Sequence, residues 1–322
     1  MFTLEDLDRA ESIVRRHVPA TPQYAWPLLS AVVGTETWVK HENHTPAGAF
    51  KMRGGLVYVE RLARESGGVA GIVTATRGNH GQSIAFAGSA YGVPVTVVVP
   101  HGNSPEKNAA MVGFGASLIE FGHDFQAARE RAGALAEEHG LTMLGPFHRD
   151  LVTGVATYAQ ELFGAAGELD AVYVPVGQGS GLCGLIGVRD LLGLRTEIIG
   201  VVAENAPSTK LSFEAGRVVT TESAATFVDG VACRVPDEQA IEIIVKGAER
   251  IVAVSDDSCA DAIRTLLTTT HNLAEPAGAI ALAGLLSERD RQRGRRVAVV
   301  QTGGNLDSPL LAQILAGHTP PA

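Results

Sequence analysis

Cysteine is nearly absent: 322 residues include only Cys183, Cys233 and Cys259, scattered and odd in number. No disulfide framework can be built on such a set, and it suits a reducing, cytoplasmic compartment. Neither a CxxC pair nor an HExxH helix occurs, so no zinc site is expected and no metal ligand set is assigned. Long hydrophobic runs are missing too. The longest, residues 277–286, falls far short of the roughly 20 residues that a membrane-spanning helix needs. Basic residues are outnumbered, 26 against 35 acidic ones, and the net charge of −9 gives no general attraction to nucleic acid. The N-terminus opens Met-Phe-Thr-Leu-Glu-Asp, acidic from the start, with no signal-peptide pattern. Low-complexity segments, short repeats and long linkers are also lacking.

What is present is a globular composition, 45% hydrophobic and 19% charged, long enough for one large or two closely docked domains. Residues 4–17 have helical spacing of apolar positions and end in Arg15-Arg16-His17. A second helix is expected from Lys51 to Ser66. Strands then alternate with helices: strands over 71–76, 95–99 and 118–121, helices to Tyr91 and over 125–139. The second half repeats the scheme, with strands at 171–176, 197–202, 251–254 and 297–300. Unbroken apolar strands between helices argue for mostly parallel sheets covered on both faces. Residues 206–239 are less regular and read as loop-rich.

Lys51 stands out, in the run His44-Thr-Pro-Ala-Gly-Ala-Phe-Lys-Met-Arg-Gly-Gly55. A lysine among apolar neighbours loses solvation of its ammonium form, which frees the amine to attack a carbonyl. The plainer account is a lysine snorkelling from a helix start. Three strand ends open into glycine turns: Arg77-Gly-Asn-His-Gly81, Gly177-Gln-Gly-Ser-Gly181 and Thr302-Gly-Gly-Asn305. At the carboxyl ends of parallel strands such turns offer free N–H groups to anions. The second turn also satisfies G-x-G-x-x-G through Gly179, Gly181 and Gly184, with Glu204 twenty residues on. By itself it reads as a dinucleotide fingerprint and supports an NAD-dependent oxidoreductase. That reading leaves Lys51 and the other two turns without a task.

Taken together, Gly48-Ala-Phe-Lys51-Met-Arg53-Gly, Arg77-Gly-Asn-His-Gly-Gln82, Glu275-Pro-Ala-Gly-Ala279 and Thr302-Gly-Gly-Asn305 resemble the threonine/serine dehydratase branch of fold-type II pyridoxal phosphate (PLP) enzymes. That branch includes serine racemase and hydroxyaspartate ammonia-lyase. The resemblance spans nearly the whole chain, whose length is that of the members without a C-terminal regulatory domain. It implies a tryptophan synthase β-like fold of two α/β domains: residues 1–70 with 149–322 as the large one, and 71–148 as a small inserted one. It also implies PLP as cofactor, a small amino acid as substrate and a homodimer.

By the same resemblance Lys51 forms the Schiff base with PLP and takes the Cα proton, while Phe50 packs on the ring. Gly177, Gln178, Gly179, Ser180 and Gly181 hold the phosphate, Asn79 bonds the ring hydroxyl and Thr302 meets the ring nitrogen. Thr76, Arg77, Gly78, Asn79 and His80 receive the substrate carboxylate. The activity implied is elimination of water from a β-hydroxy-α-amino acid, with an amino-acid racemase and a PLP-binding protein without turnover as rivals. His80 by itself reads as a core or turn histidine. His41, His44 and His148 get no role and are expected to be solvated or locally bonded.

Some positions depart from the pattern. The phosphate loop is one residue longer than usual. Ala47 and Ala49 replace a Thr and a Ser, and Val202 and Ser208 replace two carboxylates where some relatives bind a divalent cation. Only Glu204 is acidic there, too little for a hard cation.

Overall fold

A computed structural model describes residues 1–65 and 69–322. In chain order its elements are α1 (Leu4–Val14), β1 (Gln23–Ala25), α2 (Pro27–Val33), β2 (Glu36–His41), α3 (Lys51–Glu65), β3 (Ile72–Ala75), α4 (Asn79–Tyr91), β4 (Val95–Val99), α5 (Pro105–Gly113), β5 (Ser117–Glu120), α6 (Phe125–His139) and β6 (Thr142–Met143). There follow α7 (Arg149–Ala166), β7 (Ala171–Pro175), α8 (Ser180–Leu191), β8 (Glu197–Ala203), α9 (Ser208–Ala215), α10 (Glu238–Gly247), β9 (Arg250–Val254), α11 (Asp256–Thr270), α12 (Pro276–Ser287), β10 (Arg296–Gln301) and α13 (Ser308–Leu315). The expected end of the second helix, Ser66, lies outside the described residues. Residues 206–239 are not all loop: α9 occupies part of them.

The chain divides into two units, one of residues 1–4, 20–44 and 156–322, the other of residues 5–19 and 45–155. The first holds a six-stranded sheet in the order β1-β2-β10-β7-β8-β9, parallel except for the antiparallel β1–β2 pair. Its core is organised by α12, whose sequence PAGAIALAGLLS is apolar all round. A helix of that kind must be buried on every side, and α12 packs on β7, β8, β9 and β10 as well as α11.

The second unit, which takes in 71–148 and adds α3 and most of α1, holds a parallel sheet in the order β5-β4-β3-β6. Its side chains alternate with the period of two that strands impose. Ile72, Val95, Val97 and Val99 face a core with α3 and α4, while Val73, Ala75 and Val98 face Ala128, Ala132 and Leu135 of α6.

Two features of this second unit set the position of Lys51 at the head of α3. A Cβ on Gly54 would lie 2.6 Å from the Leu151 carbonyl oxygen, and one on Gly154 would lie 2.4 Å from that of Arg53. The backbones of α3 and α7 are therefore in direct contact, one turn along from the lysine. On the side of α4, the Ser83 hydroxyl donates to the Lys51 carbonyl oxygen at 2.7 Å. Gly154→Ala should force α3 and α7 apart and cost about 1–3 kcal/mol, the usual penalty of overpacking. Urea unfolding measures it; an unchanged midpoint would show that the contact is not tight.

Candidate active site

Four helices begin on side chains that cap them. Ser104, Asp124, Asp237 and Ser255 each accept from a backbone N–H three residues on, at the heads of α5, α6, α10 and α11. By contrast, α4 and α8 start on Gly78 and Gly179, which have no side chain to serve as a cap. Both follow the carboxyl end of a parallel strand, where N–H groups at a helix head suit an anion.

In the second unit the lysine loop is locked by Thr45, whose hydroxyl donates to the Ala49 carbonyl and accepts from the Ala49 N–H, both at 2.9 Å. The Lys51 ammonium lies 5.3 Å from the centre of the Phe50 ring. The α4 turn is ordered by Thr76, whose Oγ1 accepts from the Gly78 N–H at 3.1 Å. A Cβ on Gly78 would lie 3.1 Å from Lys107 Cδ, in the flexible part of that side chain. Arg77 is exposed, and Asn79 opens α4.

His80 is more than a satisfied core histidine. It is buried, bonded on one side to the Leu144 backbone, yet its Nε2 has no partner among the described residues. Burial, and then the Lys51 charge, push its pKa down to about 3. A neutral imidazole with one orphaned nitrogen, within electrostatic reach of Lys51, is a prepared contact for a ligand polar group.

In the first unit the turn Gly177-Gln-Gly-Ser-Gly181 links β7 to α8. A Cβ on Gly177 would lie 2.4 Å from the Gly230 carbonyl oxygen, and Gly179 has φ +96°, so both positions need glycine. Gln178 reaches away from the turn and donates to Cys233 Sγ and the Val235 carbonyl, both at 3.3 Å. The Tyr158 hydroxyl donates to the Gly181 carbonyl at 3.0 Å, and Ser180 is buried. Thr302 is buried past the end of β10, its hydroxyl 3.3 Å from the Ala277 carbonyl it donates to. Gly184, the third glycine of the G-x-G-x-x-G spacing, lets α8 approach α7: a Cβ there would lie 3.2 Å from Ala156 Cα.

Where a cation would bind, Val202 is buried, Glu204 is exposed, and the Ser208 hydroxyl is spent on the Cys233 carbonyl at 2.6 Å. Among the described residues no group of three or more His, Cys, Asp or Glu is placed to hold a metal. His41 is not solvated: it is 1% exposed and bonded to Trp26 and Gln301. Burial beside His44 pushes its pKa down to about 4. Sequence reasoning missed the pairing of His41 with Gln301, because its members are 260 residues apart.

The donor set fits PLP. Bare glycine turns at a helix head suit a phosphate, a hydroxyl at 302 suits a neutral ring nitrogen, and the Lys51 amine suits an aldehyde. The comparisons agree. Residues 14–303 match the model of the pyridoxal-phosphate dependent enzyme family, and the chain belongs to that family. It is 33% identical to an L-threonine ammonia-lyase of Thermotoga maritima over 316 residues, 98% of this chain and 78% of that one. It is 31% identical to an L-threo-3-hydroxyaspartate ammonia-lyase of Saccharomyces cerevisiae, covering 98% of this chain and 97% of that one. Among solved structures, the processed form of threonine deaminase isoform 2 from Solanum lycopersicum superposes with a TM-score of 0.91 at 27% identity, over 97% of this chain and 91% of that one. The cofactor is PLP, and the NAD reading of the Gly179 turn is set aside.

A lowered histidine pKa makes stability depend on pH. The unfolded chain gains a proton near pH 6.5, whereas folded His80 resists it to about 3, so stability is full above 6.5 and is lost on acidification through that window. The slope for one histidine is at most about 1.4 kcal/mol per pH unit. Urea midpoints of the PLP-free protein should therefore fall more steeply between pH 6.5 and 4.5 in the parent than in His80→Gln. Equal slopes would mean that folded His80 titrates normally.

Proposed function

We propose that the protein is a PLP-dependent ammonia-lyase of the carbon–oxygen type, which dehydrates a small β-hydroxy-α-amino acid to a 2-oxo acid and ammonia. The substrate class is that of serine and threonine, with 3-hydroxyaspartate and phenylserine as the larger members to test. What supports the reading is that a chain of this family carries Lys51 at the head of α3 and, in its other unit, a neutral hydroxyl, Thr302, past the end of β10.

When bound, PLP supplies an electron sink for the substrate Cα. The protein's own groups do the rest. Lys51 would hold the cofactor through its amine, with Phe50 beside it, and would take the Cα proton. The N–H groups and side chains of Thr76, Arg77, Gly78, Asn79 and His80 hold the substrate carboxylate, and Asn79 also serves the ring hydroxyl. The Gly177–Gly181 turn, with Gln178 and Ser180, holds the phosphate through backbone N–H groups. Thr302 would meet the ring nitrogen by turning its one hydroxyl proton from the Ala277 carbonyl to it; a hydroxyl could not keep that nitrogen protonated as a carboxylate would, so the sink would be weak. With a weak sink, departure of the β-hydroxyl together with the proton is the easier course. The oxygen leaves as water, and the released enamine hydrolyses to the 2-oxo acid and ammonia.

Racemisation needs an acid/base group on each face of the substrate. Arg77 stands where the racemase pattern carries a serine, and a guanidinium stays protonated and does not shuttle protons. Elimination is therefore assigned over inversion. The protein acts in the cytoplasm as a homodimer: the family resemblance supports the dimer, and three free, buried cysteines support a reducing compartment.

The test is a panel of serine, threonine, 3-hydroxyaspartate and phenylserine, each as a single enantiomer, with 2-oxo acid and residual chirality followed together. At least one should yield 2-oxo acid without its mirror image, and Lys51→Ala should lower that rate by at least about 10³-fold, since nucleophile and base are lost at once. Ammonia release undiminished in Lys51→Ala, or inversion as fast as elimination, would sink the reading.

A further inference from the structure

His41 and Gln301 stand side by side, paired in register where the parallel strands β2 and β10 end. Both are buried. The hydrogen bonds around them admit one assignment of donors and acceptors. The Trp26 indole N–H can only donate, and it lies 2.9 Å from His41 Nε2. That nitrogen must accept, so the ring is neutral and its proton sits on Nδ1. Nδ1 donates to Gln301 Oε1 at 3.0 Å. The amide nitrogen of Gln301 is thereby turned to the Leu273 carbonyl, which can only accept, at 2.8 Å. An obligate donor at one end and an obligate acceptor at the other force every link between.

What this chain of bonds grips is the turn between α11 and α12. His271 in that turn has φ +56°, the one non-glycine residue with positive φ among the described residues. Asn272 braces it, donating to the Thr270 carbonyl at 2.7 Å and bonded through Oδ1 to His44 Nε2 at 2.6 Å. The turn then meets the segment after β10 directly. The Glu275 N–H donates to the Gly303 carbonyl at 3.0 Å, and the Thr302 hydroxyl donates to the Ala277 carbonyl. Gly278 and Gly303 are in backbone contact: a Cβ on Gly278 would lie 2.3 Å from the Gly303 oxygen. The turn held by Gln301 is thus the surface against which the next residue, Thr302, sets its hydroxyl.

We propose that His41 and Gln301 are positioning residues for Thr302, fixing the turn that aims its hydroxyl and, through it, the electronic state of the PLP ring. The inference rests on the assignment of Thr302 to the ring nitrogen. Gln301→Met keeps the side-chain volume and removes both amide bonds; His41→Phe keeps a ring and removes the Nδ1 proton from the other end of the same link. A pair that merely fills space would stabilise the fold and leave the cofactor alone.

The experiment reads the visible absorption maximum of bound PLP, its affinity, and the melting temperature of the PLP-free protein, for each variant with Thr302 present and with Thr302→Ala. With Thr302 present, either variant should displace the absorption maximum and weaken PLP binding about 2- to 10-fold, the worth of roughly one hydrogen bond. In the Thr302→Ala background neither should add to the displacement, because residues acting through one another are not additive. Displacement of equal size in both backgrounds, or none in either, refutes the proposal, and His41→Phe keeps the test decisive if Gln301→Met does not fold. Should Thr302→Ala by itself leave the maximum at the parent position, the assignment of Thr302 fails first and the proposal falls with it.

Discussion

The backbone contact of α3 with α7, closed over Gly54 and Gly154, is the constraint on which the position of Lys51 depends. A lysine on a long flexible stem loses rotamer entropy when ordered and loses solvation when half-buried. The helix that carries it must therefore be stiff where the side chain is not. Glycine supplies this at a conformational cost of about 1 kcal/mol per helix position, offset by the close approach it allows. Ser83 adds a hydrogen bond to the carbonyl of the lysine itself, so both ends of the first turn are held.

The same economy of side chains recurs at the heads of α4 and α8. At the heads of α5, α6, α10 and α11 a Ser or Asp side chain satisfies one of the orphan N–H groups. Starting on Gly78 and Gly179 gives up such a bond at the two helix heads. The Nε2 of buried His80 is likewise a polar group without a partner among the described residues. Stability is surrendered at the places where carboxylate and phosphate are assigned.

Much of this was legible in the sequence, for physical reasons. The strand Val95–Val99 and the helix Phe125–His139 have the bounds expected of them. A strand covered on both faces is an unbroken apolar run, and an Asp cap and a terminal Gly bracket the helix. Lys51 and the glycine turns stand out in the sequence because the chemistry proposed for them needs fixed residue types at fixed spacing. The strand Glu36–His41 was not, because it buries Lys40 and His41. Lys40 is tolerated through its 2.5 Å contact with Glu161 and its 3.0 Å bond to the Thr21 carbonyl, partners no local pattern reveals. The helix Ser208–Ala215 was hidden by its polar sequence and by a start on Pro207 without a side-chain cap. Gln178 was assigned to the phosphate turn, yet its side chain is engaged with Cys233 and Val235, so its part there is through the backbone. The role of His41 was invisible, since its burial depends on Trp26 and Gln301 arriving from elsewhere in the chain.

The central claim is that Lys51, and no other amine, carries the cofactor. Borohydride reduction of the purified PLP-loaded protein followed by peptide mapping tests it directly. The account predicts that the visible band bleaches and that one pyridoxyl-phosphate adduct is recovered, on the peptide containing Lys51. An adduct on a different lysine, or a band that borohydride leaves unchanged, would contradict it.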